Sequence, residues 1–315
     1  SGFGIRLLKE VSKEDKSKNI LISPLSAASC LGMIANGAES ETLSEFETAF
    51  GAKIEDVNAL INKTIGESGK ELKLANSVWT RKNEVIIEKD FLKTVKECYD
   101  AEVYNSAFDE KTLTDINNWC SNKTEGMIDK ILTEIDENAV VYLMNALLFD
   151  AKWKAPYENG NVKSGTFTAT DGKKSSVEML YSDENDYIDF GNADGVLRPY
   201  EGGKYSFLGI LPDEDVDVYD FVAGLDGEKY SEAFRKREKR KVITGIPEFT
   251  FEYSKELNKT LESMGINDAF SPEKAQFGKM GRSAEKNKKL YLDFVLQKTK
   301  IELSRKGTKA AAVTI

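Results

Sequence analysis

The chain has 315 residues, 40% of them hydrophobic and 31% charged, a globular balance that fits two domains or one large mixed one. Its formal charge of −9 argues against nucleic acid as the main partner, because phosphate recognition needs clustered lysine and arginine. The absence of histidine excludes Ser-His-Asp and Cys-His hydrolases, HExxH zinc proteases and histidine-based metal sites.

In chain order, residues 3–10 place Phe3, Leu7 and Leu8 on one side of a predicted helix. Asn19-Ile20-Leu21-Ile22 is a short apolar run closed by Ser23-Pro24, a helix N-cap followed by proline at the first helical position. The helix from Leu25 to Ala35 carries Ala27, Ala28, Ser29, Cys30 and Gly32, side chains small enough for close packing beneath neighbours. Thr42-Leu43-Ser44-Glu45 has the capping-box pattern, which predicts a helix start there, with Leu43, Phe46 and Phe50 on its apolar face. Glu71 to Thr80 alternates as a strand, and Phe91–Tyr99 and Leu113–Lys123 return to helical spacing, the second ended by Gly126. Val140 to Phe149 is apolar except for Asn145 and predicts a strand buried on both faces, whose amide must find partners.

Tyr205–Leu211 predicts another continuous apolar strand, ended by Pro212, and the Asp213/Asp215 pair beyond it reads as a solvated acidic loop rather than an acid–base pair. The basic stretch Arg235–Lys241 reads as a solvated turn or helix end. Val242–Tyr253 predicts a strand, followed by a helix that Ser254 caps and Gly265 closes. Leu290–Leu303 predicts one long strand with Leu290, Leu292, Phe294 and Leu296 on one face. Cys30, Cys98 and Cys120 are widely spaced and odd in number, so no disulfide scaffold or zinc ribbon is indicated. No apolar run reaches the ~20 residues of a membrane span, and no basic-then-apolar leader is visible. Interspersed strands and helices without a βαβ rhythm predict one α+β domain with large sheets.

The last residues, Arg305 to Ile315, read plainly as a C-terminal tail. Their composition also suits another role: a glycine hinge, then residues too small to anchor a core, then β-branched ones. Thr308, Ala310, Ala312 and Thr314 share one face at period two, with Lys309 on the other. Such a segment can remain a loop, yet slide between packed strands without clash.

This tail resembles the reactive-centre-loop hinge of the serpins, and the likeness extends along the chain. It is carried by Asn19 to Ser26, Ile116-Asn117-Asn118-Trp119 with Lys123 to Gly126, Leu143-Met144-Asn145-Ala146 through Lys152-Trp153-Lys154, Leu208 to Pro212, Met264-Gly265-Ile266 with Asp268 to Ser271, and Gly307 to Ala312. The resemblance implies an α+β serpin fold over residues 1–315, with three β-sheets, surrounding helices and a mobile loop. It further implies a chain that ends within that loop, the scissile bond lying beyond Ile315. It implies not an enzyme but a monomeric suicide inhibitor of serine, and also cysteine, peptidases, acting outside the cell or at its surface without cofactor or metal. Its partners would be the peptidase and, after cleavage, its own C-terminal fragment. The alternative within the family is a non-inhibitory carrier, chaperone or storage protein.

On this resemblance Gly307, Thr308, Lys309, Ala310, Ala311 and Ala312 form the hinge. Ser23, Ser26, Asn145 and Gln297 form the polar shutter under the strands that part, and Trp153 marks the breach where insertion begins. Two positions depart from the family pattern. Gln297 stands where a shutter histidine is usual, and a glutamine cannot gain charge in mild acid. Arg305-Lys306 stand where acidic residues are usual, so a hinge ion pair must find carboxylates elsewhere.

Overall fold

The computed structural model describes residues 2–16 and 18–315. They form two compact units: one from the described residues up to Ile20 with Phe149–Phe251 and Ile301–Ala310, the other from Leu21–Leu148, Glu252–Lys300 and Ala311–Ile315.

The chain opens with α1 (Gly2–Glu14) and α2 (Pro24–Asn36). Ser23 caps α2 as its side chain accepts from the Ser26 amide, and nine of the 13 helical residues are buried. α3 spans Ser40–Phe50 and α4 spans Ile54–Gly66. The capping-box expectation at Thr42 is corrected here: α3 begins two residues earlier, after Glu39. Thr42 instead accepts from the Gln276 amide, and Glu45 accepts from the amides of Asn267 and Asp268. Both side chains satisfy distant backbone rather than their own helix.

Next come β1 (Leu72–Arg81), β2 (Val85–Ile87), α5 (Lys89–Tyr99), β3 (Ala101–Ser106), α6 (Glu110–Lys123) and β4 (Val141–Lys152). The run Tyr142 to Leu148 on β4 is buried without interruption, as the sequence predicts for a strand covered on both faces. β5 (Val162–Thr168), β6 (Lys174–Asp189), β7 (Ala193–Pro199) and β8 (Ser206–Pro212) follow as antiparallel neighbours. α7 (Val218–Gly224) and α8 (Gly227–Arg235) are capped by Asp217 and Asp226.

The predicted strand Val242–Tyr253 divides into β9 (Glu238–Pro247) and β10 (Phe249–Glu256). Ser254 lies within β10, so it does not cap α9 (Asn258–Ser263), which starts after Leu257 without a side-chain cap. β11 (Gly281–Ser283) pairs with β2. The predicted strand from Leu290 is shorter than expected: β12 covers Leu296–Leu303, and Val295, Gln297, Thr299 and Leu303 are the buried residues. Finally β13 spans Gly307–Thr314.

Among the described residues these strands make three sheets. One has five strands, ordered β5-β6-β7-β8 with β9 also on β6, and one is the β2–β11 pair. The largest has six, ordered β10-β12-β13-β4-β1-β3. β13, the sequence tail, is an interior strand of this sheet, hydrogen-bonded between β12 and β4. It runs antiparallel to β12, because Leu296 and Ile315 exchange both amide bonds while Ser304 donates to Gly307 at the other end.

Candidate functional site

Small side chains let the tail fit between β12 and β4. A Cβ on Gly307 would lie 2.1 Å from the Ala151 carbonyl oxygen and 2.8 Å from the Lys152 Cα. Only glycine fits where the strand enters. Thr308 is buried and accepts from the Tyr200 hydroxyl at 2.7 Å. Lys309 keeps its ammonium 3.6 Å from Asp150, so its charge is neutralised at the sheet surface. Ala311, Val313 and Ile315 pack into a cluster with Ile116, Trp119 and Cys120 of α6. Ala312 and Thr314 on the opposite face are buried too.

Around Trp153 the backbone is gripped at three successive carbonyls. The indole Nε1 donates to Ser304 at 2.8 Å, the Tyr157 amide to Arg305 at 3.0 Å and the Trp153 amide to Lys306 at 2.9 Å. The indole lies flat on Tyr200, with centroids 4.5 Å apart and planes 8° apart. Burial pushes the Tyr200 hydroxyl up to about 12. Its bond to Thr308 is therefore protonated throughout the ordinary range. A tyrosine pKa raised by folding contributes stability that is complete below the unfolded value near 10 and is lost as pH climbs toward 12. Denaturant midpoints are expected to fall over that alkaline window in the parent chain, and to fall less steeply in Tyr200→Phe.

Arg305 finds the carboxylates that the sequence could not locate. Its guanidinium lies 3.6 Å from Glu178 and 3.7 Å from Glu248, and Glu248 also accepts the Arg305 amide at 3.1 Å. The base thus lies in the turn between β12 and β13, one acid on β6 and the other between β9 and β10. The arginine side chain is 40% exposed, so the pairs contribute under ~1 kcal/mol. Arg305→Glu should lower stability modestly, most at low salt, and Glu248→Arg added to it should recover the loss; urea midpoints at two ionic strengths check both.

The four residues expected to form a shutter divide. Gln297 accepts from the Ser23 amide at 2.9 Å through Oε1, while its Nε2 donates to the Ser23 carbonyl at 3.1 Å and to Thr314 Oγ1 at 2.9 Å. Ser26 Oγ meets the same Thr314 hydroxyl at 2.8 Å. Ser23, Ser26 and Gln297 therefore converge on the far end of β13. Asn145 does not join them: its amide donates to Asn76 at 2.9 Å and Ala75 at 3.4 Å, and its buried Oδ1 has no partner. Thr314 and Tyr200 are among the site residues that sequence reasoning missed. Both are joined to the site by contacts more than 100 residues apart in sequence, which no local pattern reports.

The buried Cys30 thiol is pushed up to about 12 by burial, as is that of Cys120, which leaves both unreactive. Among the described residues no cluster of His, Cys, Asp or Glu could hold a metal ion, and no helix is long and apolar enough to cross a membrane.

The family described as serpin (serine protease inhibitor) matches residues 1–315. This chain belongs to the serpins. Glia-derived nexin of the rat (Rattus norvegicus) is 30% identical over 333 residues, spanning all of this chain and 82% of that one. The thermophilic serpin tengpin in its latent state is 43% identical with a TM-score of 0.93, over 99% of this chain and 86% of that one. The same protein in its native state gives 42% and 0.90, over 97% and 80%. The family's description is that of a protease inhibitor and not of a catalyst. That one relative is solved in two states fits a metastable fold that changes conformation.

Proposed function

We propose that this serpin is a single-use trap for serine peptidases, working by insertion of its hinge into the six-stranded sheet. The peptidase serine Oγ attacks the scissile carbonyl of the bait loop, forming an ester as the peptide bond breaks and its amine leaves with a proton. Gly307 to Ala312 then enter between β12 and β4 before water can hydrolyse the ester, carrying the acylated peptidase with them. A dozen inserted residues span roughly 40 Å at about 3.3 Å each. Trp153 and Tyr200 receive the first hinge residues, and Ser23, Ser26 and Gln297 receive the last through Thr314.

The observation that carries this reading is β13 itself: a strand of glycine, threonines and alanines seated inside the sheet rather than at its edge. The Lys309–Asp150 pair supports it further, since a lysine in the hinge would otherwise favour the carrier, chaperone or storage alternative. The test is incubation with trypsin-, chymotrypsin- and elastase-like peptidases. A covalent complex surviving SDS is expected with at least one of them. Clean cleavage by all three, with no complex and no rise in melting temperature, would give the non-inhibitory alternative. We place the encounter outside the cell or at its surface; an exclusively cytosolic pool on fractionation of the source cells would contradict that.

A further inference from the structure

Arg198 on β7 and Glu184 on β6 form an ion pair whose residues are only 5% and 6% exposed. The guanidinium donates through Nη1 to Glu184 and through Nη2 to the Ala155 carbonyl, while its Nε has no partner. A desolvated ion pair is costly, and apolar replacements of similar volume often match its stability. A pair that also leaves a donor unsatisfied is poorly explained as a stabiliser.

Its effect on geometry is plainer. A guanidinium is a flat fork with fixed donor directions. Here one arm is held by Glu184, which Ser182 supports at 2.7 Å, and Ser182 is held in turn by Thr244 at 3.0 Å. With the other arm on Ala155, the guanidinium carbon lies over two rings, 3.9 Å from the Tyr157 centroid and 5.1 Å from that of Trp153. Those rings stand edge to face at 88°, and Trp153 lies flat on Tyr200, whose hydroxyl reaches Thr308. The path from Glu184 to Thr308 therefore runs through directed hydrogen bonds and packed rings, all within one compact unit.

We propose that Arg198, clamped by Glu184, is a positioning residue for the hinge: it sets the planes of Trp153 and Tyr157 and, through Tyr200, the seat in which Thr308 docks. The inference rests on the insertion reading, but its test does not require inhibition. Amide hydrogen exchange is followed in the parent chain, the double variant Arg198→Met with Glu184→Gln, Arg198→Lys and Glu184→Gln, with melting temperature alongside. Arg198→Met, made together with Glu184→Gln so that no charge is left buried alone, should speed exchange of Thr308–Ala310 about tenfold, leaving β1 and β3 near parental rates and the melting temperature little changed. Arg198→Lys, which keeps the charge and loses the fork, should fall between. Parental exchange at β13 in the double variant, or acceleration of every strand alike, overturns the assignment; if that variant does not fold, the same criteria apply to Arg198→Lys and Glu184→Gln. An SDS-stable complex of the parent chain reports separately on the inhibitory reading, so either idea can fail alone.

Discussion

Gly307→Val is expected to leave the body of the fold intact, expel β13 from the six-stranded sheet and abolish trapping. The new Cβ would sit 2.1 Å from the Ala151 oxygen and 2.8 Å from the Lys152 Cα. Both are backbone atoms of β4, an interior strand that cannot yield by a rotamer change. Overpacking against such a wall costs ~3 kcal/mol or more, a factor above one hundred against the seated strand. Mixed with a peptidase that accepts the parent chain, the variant should appear on SDS gels as cleaved product alone, and cleavage should not raise its melting temperature. Gly307→Ala should give the same result in milder form, since the clash begins at Cβ. Parental yields of covalent complex from the valine variant would mean that the strand enters by a path not passing Ala151.

The second large effect is expected at Gln297. Substitution by leucine removes three hydrogen bonds and orphans the Ser23 amide, while the Ser23 carbonyl keeps the Ala27 amide and Thr314 keeps Ser26. One buried donor left unpaired and the loss of the remaining bonds together cost ~2–4 kcal/mol, visible as a lowered urea midpoint. Gln297→His separates shape from charge. Near neutrality an imidazole can accept from Ser23 and donate to Thr314; once protonated it can only donate, and the Ser23 amide then faces another donor. Burial holds such a histidine below its unfolded pKa of ~6.5, so its contribution is present above that pH and is lost as pH falls through the folded value. The parent chain has no histidine at all and should show no such step near pH ~6. Comparing midpoints at pH ~7.5 and ~5 for the two proteins decides it, since these values bracket the imidazole titration. A step of equal size in both would show that position 297 does not govern acid response.

Local signals in the sequence reach as far as local physics does. Ser23-Pro24 marks a helix start by steric preference and one short hydrogen bond, and α2 begins there. Continuous apolarity from Val140 identified β4, and small residues after Gly307 identified a strand able to enter a sheet. Alternation over Leu290–Leu303 overreached, because period two describes which side chains share a face and not which amides find a partner; pairing begins only at Leu296. Ser254 failed as a cap for the same reason, being held in β10 by its neighbour β12. Gln297 and Trp153 were singled out only through family likeness. Glu248, Glu178, Tyr200 and Thr314 were not reachable, since each acquires its meaning from a partner far away in the sequence.

Burial along β13 is uneven. Gly307, Lys309 and Ala310 are only partly covered, whereas Ala311 through Ile315 are all buried, with Val313 wholly so. In the insertion proposed above, starting from Gly307, ~25 cal/mol per Å² of apolar surface concentrates the attraction in the last five residues to be seated. A strand halted midway gains little and tends to slip back, while one that passes Ala310 gains more with each further step. The transition should accordingly behave as a threshold event, with populations either out or fully home and few molecules caught between.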